Sequence, residues 1–297
     1  MTYTPRILAV ALLLGAAACS KPDQPPAAAP PVAPVARSIM EVPDQWITRD
    51  SARLRYRVVG QGTPVVILHG YTQRIEAIAG LADSLAGSYR VIVLDERGFG
   101  ESTKFPQPNR YGRAFAVDVV ALLDELQIPK AHFVGHSMGA SIAANLALRY
   151  PERTSSISLI AGPFFPDSAG LARVLAPYVA SLKRGEGLTS FVKWIVPGTP
   201  DSVAVELNKQ LMASNDSSVL VAVLSGMGGL VPRGSATPDS TIGILIAVGD
   251  GDPLLPQSRA LKAKWPRATL LEAAGANHFD VITRGDVVAA IRTLIGS

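Results

Sequence analysis

Residues 132–141 read "HFVGHSMGAS". An apolar run ends there, a serine stands between two glycines, and a helical pattern begins. Two readings compete. In one, Ser137 is a nucleophile on a sharp strand-to-helix turn, its hydroxyl exposed and its glycine neighbours letting the turn close. In the other, the glycines form an ordinary connection and the serine only caps the helix. The five residues "GHSMG" alone do not decide, because glycine and serine are common. The residues around them do.

A serine hydroxyl is a weak nucleophile near neutral pH and needs a base. The chain has 4 histidines. His136 adjoins the serine, and strand alternation turns its side chain away. His132 begins the same strand. His69 ends an earlier one and is expected to shape a loop. His278, in "AAGANHFD", follows the last strand and precedes the last helix, so its loop can reach the active edge of a sheet. His278 is the expected base. An acid must fix its tautomer, and "VGDGDPLLP" offers Asp250 and Asp252. Asp252, followed by proline, is expected to hold the histidine, with Asp250 a turn residue. An oxyanion needs positioned donors. The backbone N–H groups of Met138, after the serine, and of Tyr71, after "VVILHG", are the candidates.

Elsewhere, short apolar runs alternate with helical spacing. "SARLRYRVVG" alternates like a half-exposed strand. "TPVVILHG", "RVIVLDERG", "AHFVGHS", "SSISLIAG", "TIGILIAVGD" and "ATLLEAAG" read as further strands. Helices are predicted over 74–86, around Val119, Leu122, Leu123 and Leu126, over 138–150, and around Val287, Val288, Ile291 and Leu294. Such alternation implies an α/β protein with a mostly parallel sheet covered on both faces. Between about 163 and 240 only helical patterns occur, such as Leu171, Val174, Leu175, Tyr178 and Leu182. The predicted domains are a core over 39–162 and 241–297 and a helical cap over 163–240. The cap's Phe164, Phe165, Tyr178, Phe191, Trp194, Met212 and Met227 suggest an apolar pocket.

The motifs "LHGY", "DERGFGES", "GHSMGAS", "GDGDPLLP" and "GANHF" together resemble the α/β-hydrolase superfamily over roughly residues 45 to 297. The resemblance implies an eight-stranded sheet flanked by helices, with the cap inserted after the sixth strand. It implies a structural loop of Asp95, Arg97, Gly98, Gly100 and Ser102. Members with an aspartate nucleophile, such as haloalkane dehalogenases and epoxide hydrolases, are disfavoured by Ser137. "GHSMG" is similar to the motif of esterases, cofactor-free haloperoxidases and C–C bond hydrolases, which share one triad. Carboxylic ester hydrolysis is the first expectation. Perhydrolysis or C–C cleavage stays open, as does a catalytically silent binding protein.

The N-terminus reads as a targeting segment. Arg6 precedes the apolar stretch 7–18, too short to span a membrane. "LGAAACS" then carries the only cysteine, Cys19. It resembles a bacterial lipoprotein signal, with Cys19 lipidated, residues 1–18 removed and 19–38 a proline- and alanine-rich tether. Plain secretion with cleavage near Ala18 stays open, since Ala16 stands where such signals favour leucine. By resemblance to the sorting rule of such signals, Ser20 in the second mature position implies the outer membrane of a Gram-negative bacterium. The net charge of +4 comes from scattered residues, which gives no footing for nucleic acid. The histidines lack metal-ligand spacing, and no dinucleotide fingerprint follows a strand. No cofactor is needed by the expected chemistry.

Overall fold

The computed structural model describes residue 1, residues 38–231 and residues 236–296. Cys19, residues 2–18 of the targeting segment and nearly all of the tether lie outside the described residues. Among the described residues, eight strands form one sheet: β1 (Gln45–Arg49), β2 (Ala52–Val59), β3 (Pro64–Leu68), β4 (Arg90–Leu94), β5 (Ala131–His136), β6 (Thr154–Ile160), β7 (Gly243–Gly249) and β8 (Thr269–Ala273). Their order is β1-β2-β4-β3-β5-β6-β7-β8. β2 runs antiparallel to both β1 and β4; all other pairings are parallel.

The continuous apolar runs are explained by two covered faces. Val65, Ile67, Val91 and Val93 point toward α1 (Ala79–Ala86) and α9 (Gly285–Gly296), joining Leu81, Leu85, Val287 and Ile291. Val66, Leu68, Ile92 and Leu94 point the other way, toward α2 (Arg113–Glu125) and α3 (Met138–Arg149), joining Phe115, Val119, Leu122 and Ile142. Each strand therefore needs apolar side chains at both parities. α3 is buried from Met138 to Ala147, which accounts for its alanines and glycine.

Among the described residues, four α-helices and a short 3-10 turn (Met227–Leu230) lie between β6 and β7: α4 (Ser168–Lys183), α5 (Thr189–Ile195), α6 (Asp201–Ser214) and α7 (Ser217–Gly226). α4 and α7 carry buried stripes, Leu171, Leu175, Tyr178 and Leu182 on one and Val219, Leu220, Val223 and Leu224 on the other. α6 buries only Ala204. α8 (Leu255–Lys264) joins β7 to β8.

The "DERGFGES" segment is a hydrogen-bonded brace. The Asp95 carboxylate accepts from the Ile75 and Glu101 amides at 2.9 and 2.8 Å and lies 3.0 Å from Arg55 Nε. Gly100 has φ +51°, and a Cβ there would sit 2.0 Å from Asp95 Oδ2. The Arg97 guanidinium donates two bonds to buried Asp118. These residues lie in a structural loop.

Candidate active site

Four loops at carboxyl ends of strands meet where open α/β sheets place their ligands. The first is the turn after β5. Ser137 has φ +52° and ψ −116°, a left-handed conformation that a side chain normally avoids. Two glycines make it possible. A Cβ on Gly135 would sit 2.2 Å from the Gly139 carbonyl oxygen, and one on Gly139 would sit 2.0 Å from that of Leu68. The Ser137 amide donates to Ile160 O at 2.8 Å and pins the turn to β6. The side chain of Ser137 makes no capping hydrogen bond to α3, so the helix-cap reading has no support in the geometry.

The second and third loops hold the acid and the histidine. Buried Asp252 accepts from His278 Nδ1 through Oδ2 at 2.8 Å and from the Leu254 amide through Oδ1 at 2.8 Å. The second bond fixes the carboxylate's rotation. Asp250 is exposed and takes the Gly275 amide at 2.8 Å, while the Gly251 amide donates to Ala276 O at 3.1 Å. Asp250 therefore fastens the two loops together and does not reach the histidine. Asn277 and Asp280 exchange hydrogen bonds that close the turn around His278.

The fourth loop follows β3. Buried His69 accepts the Glu96 amide on Nε2 at 2.9 Å and donates Nδ1–H to Gly70 O at 2.8 Å. Burial brings its pKa down to about 4, so the ring is neutral and both bonds persist at ordinary pH. His69 shapes the loop. A Cβ on Gly70 would sit 3.1 Å from Ser137 Cβ, which puts the loop's backbone against the serine turn. Among the described residues, neither the Tyr71 nor the Met138 N–H meets an acceptor. The Tyr71 side chain instead faces α5 and α7, donating to Leu220 O at 3.2 Å and meeting Phe99 and Phe191 edge-on.

His132 sits at the start of β5, with Nδ1 2.7 Å from Ser156 Oγ and remote from these loops. His136 departs from the alternation argument. Its ring lies 4.9 Å from that of His278, with Nε2 2.9 Å from His278 O and Nδ1 2.9 Å from Gln73 Oε1. Alternation applies inside a strand, and β5 ends at His136 as the chain swings into the Ser137 turn. Gln73 is a site residue that the sequence did not single out; its position three residues after "HG" was the only available signal.

Three of the aromatic residues between β6 and β7 pack on one another. Tyr178 and Phe191 meet edge-on at 5.3 Å, and Trp194 stacks beside both. A cavity of about 580 Å³ is lined in part by Val192 of α5, Val196 just after it, Val203, Leu207 and Leu211 of α6, and Phe279. Gln73 and Asn277 lie at its polar side.

A family profile described as alpha/beta hydrolase fold matches residues 63–186. The structure of a thermophilic esterase from Thermogutta terrifontis superposes with a TM-score of 0.71 at 22% identity, covering 86% of this chain and 98% of that one. This chain has the α/β-hydrolase fold. Among curated relatives, it is 29% identical over 262 residues to the dihydrolipoyllysine-residue acetyltransferase component of the acetoin cleaving system of Cupriavidus necator, covering 82% of this chain and 66% of that protein. It is 39% identical over 133 residues to the 2-hydroxymuconate semialdehyde hydrolase of Pseudomonas sp. strain CF600, covering 42% of this chain and 47% of that one. The chain thus spans less than two thirds of the length of these curated relatives. These relatives and the structural neighbour are named as enzymes.

Proposed function

We propose that this α/β-hydrolase-fold protein is a serine hydrolase that cleaves carboxylic esters with a small to medium apolar part. The observation that carries this reading is the buried Asp252–His278 pair at 2.8 Å, on loops that meet a strained Ser137 whose hydroxyl is not spent on its helix. Ser137 Oγ attacks the ester carbonyl as His278 Nε2 takes its proton. The carbonyl oxygen becomes an oxyanion, stabilised by the Tyr71 and Met138 N–H groups. His278 then protonates the departing alcohol, leaving an acyl-enzyme. Water attacks that acyl group, its proton passing to His278, and the second oxyanion collapses to free acid and serine. Asp252 keeps the His278 proton on Nδ1 throughout. No cofactor or metal enters this scheme.

The aliphatic lining between α5 and α6 supports an apolar acyl or alkyl group rather than a sugar or charged peptide. A p-nitrophenyl ester series from acetate to palmitate tests the reading. Turnover is expected, with its optimum at short to medium acyl length. Folded protein that hydrolyses no member would contradict it. A second reading, C–C bond hydrolysis by the same triad, is favoured by the likeness to the 2-hydroxymuconate semialdehyde hydrolase. Turnover of a vinylogous dicarbonyl substrate faster than of any aryl ester would select it.

The protein is further proposed to be exported and tethered by a lipid on Cys19, facing the periplasm from the outer membrane. Cys19→Ala should move it from the membrane to the soluble fraction; unchanged membrane association would overturn the tether.

A further inference from the structure

His136 is buried, lies beside the base, and has no part in the scheme above. Its ring stands between two acceptors. On one side, the Gly70 N–H donates to Gln73 Oε1 at 2.7 Å. That bond fixes the amide with its oxygen inward, so His136 Nδ1 faces an acceptor at 2.9 Å. On the other side, Nε2 faces the main-chain oxygen of His278, also at 2.9 Å. A neutral imidazole carries one N–H and satisfies one of these oxygens; only the imidazolium satisfies both. Burial, with the neighbouring His278 and His69 rings, holds the pKa of His136 well below the ordinary 6.5. The ring is therefore neutral at ordinary pH and commits its proton to one partner.

We propose that His136 is a positioning residue, donating Nε2–H to the His278 carbonyl and so setting where the base stands relative to Ser137. This rests on the serine-hydrolase reading for its kinetic consequence. The physical reason is covalent continuity. His136 is the residue before Ser137, so one backbone step separates the nucleophile from the ring that holds the histidine loop. The bond ties the base to the nucleophile's own strand, independently of Asp252. Asp252 sets the tautomer of His278, and His136 sets the height of its main chain. The alternative commitment, Nδ1–H to Gln73, would brace the oxyanion loop and leave the His278 carbonyl without a donor from His136.

Two substitutions separate these outcomes, because a glutamine amide nitrogen overlies the Nε2 position and an asparagine amide nitrogen overlies Nδ1. In the full-length protein, His136→Gln should hold kcat within a few-fold of wild type. His136→Asn should lower kcat about tenfold or more with KM unchanged, as expected for one lost hydrogen bond that places a catalytic group. A residue that merely fills space would show the same kcat in both, tracking melting temperature. Hydrogen exchange in residues 277–281 reads the contact without substrate: exchange should quicken in His136→Asn and stay near wild type in His136→Gln. Equal kcat and equal exchange in the two variants, or the larger loss in His136→Gln, would overturn the proposal. Should wild type itself hydrolyse no ester, the triad reading fails on that result, and the exchange comparison still decides where His136 commits its proton.

Discussion

Ser137→Ala should lower kcat roughly 10⁶-fold, the scale of loss seen when a serine nucleophile is removed from a well-studied protease, while leaving the fold intact. Alanine carries the Cβ that the turn already accommodates, and the serine hydroxyl makes no capping bond whose loss would weaken α3. The strain at φ +52° is unchanged by the substitution. The variant should therefore melt near wild type and bind substrate with a similar dissociation constant. Steady-state rates on the best p-nitrophenyl ester, beside a thermal melt, check both halves. A variant that retains a tenth of wild-type activity would mean that another group performs the attack.

Asp252→Asn is expected to cost about 10⁴ in kcat, the loss that follows when an orienting aspartate becomes an amide and the histidine is held in the wrong tautomer. The geometry here gives the reason. Both carboxylate oxygens are in use, Oδ1 by the Leu254 amide and Oδ2 by His278 Nδ1. An asparagine has one oxygen. If it serves Leu254, the NH₂ group donates to Nδ1, the ring proton moves to Nε2, and His278 has no lone pair for the serine proton. Fluorophosphonate labelling rates should fall with kcat, because both need the same base. Asp250→Asn is the informative control. The Asp250 carboxylate accepts the Gly275 amide, an oxygen role that asparagine retains, so activity should remain within a few-fold of wild type. Equal losses in the two variants would contradict the assignment of Asp252.

The alternating apolar runs were legible because parallel strands buried on both faces leave an uninterrupted signature, and "VVIL", "VIVL" and "ILIAVG" carry it plainly. The first strand, "QWITR", was not. It is an edge strand whose only buried residue is Ile47, and no short polar pentapeptide announces itself by alternation. α8 escaped for a related reason: it buries only Ser258 and Leu261, too little for helical periodicity. The stretch over 74–86 begins as a tight turn at Ile75–Ile78 and becomes α-helical at Ala79, a boundary that apolar spacing does not encode.

At the site, glycine spacing and chain order led to Ser137, Asp252 and His278, and the fold brings Asp252 rather than Asp250 to the histidine. The contacts of His136 and Gln73 were not legible. They depend on three loops converging from β3, β5 and β8, and a pattern local to one segment carries no information on that convergence. The aromatic residues of the cap suggested a pocket by composition. Tyr178, Phe191 and Trp194 pack on one another and Phe191 also meets Tyr71, while the apolar side of the cavity beside α6 is formed by Val192, Val196, Val203, Leu207, Leu211 and Phe279. Composition indicated the character of the space but not which side chains border it.

The most direct test is to treat the folded protein with a fluorophosphonate, measure its intact mass, and map the modified peptide. One adduct per chain on Ser137, abolished in Ser137→Ala and slowed in Asp252→Asn, is the expected result. Folded wild-type protein that takes up no adduct, or takes it up at another residue, would contradict the assignment of Ser137 as the nucleophile.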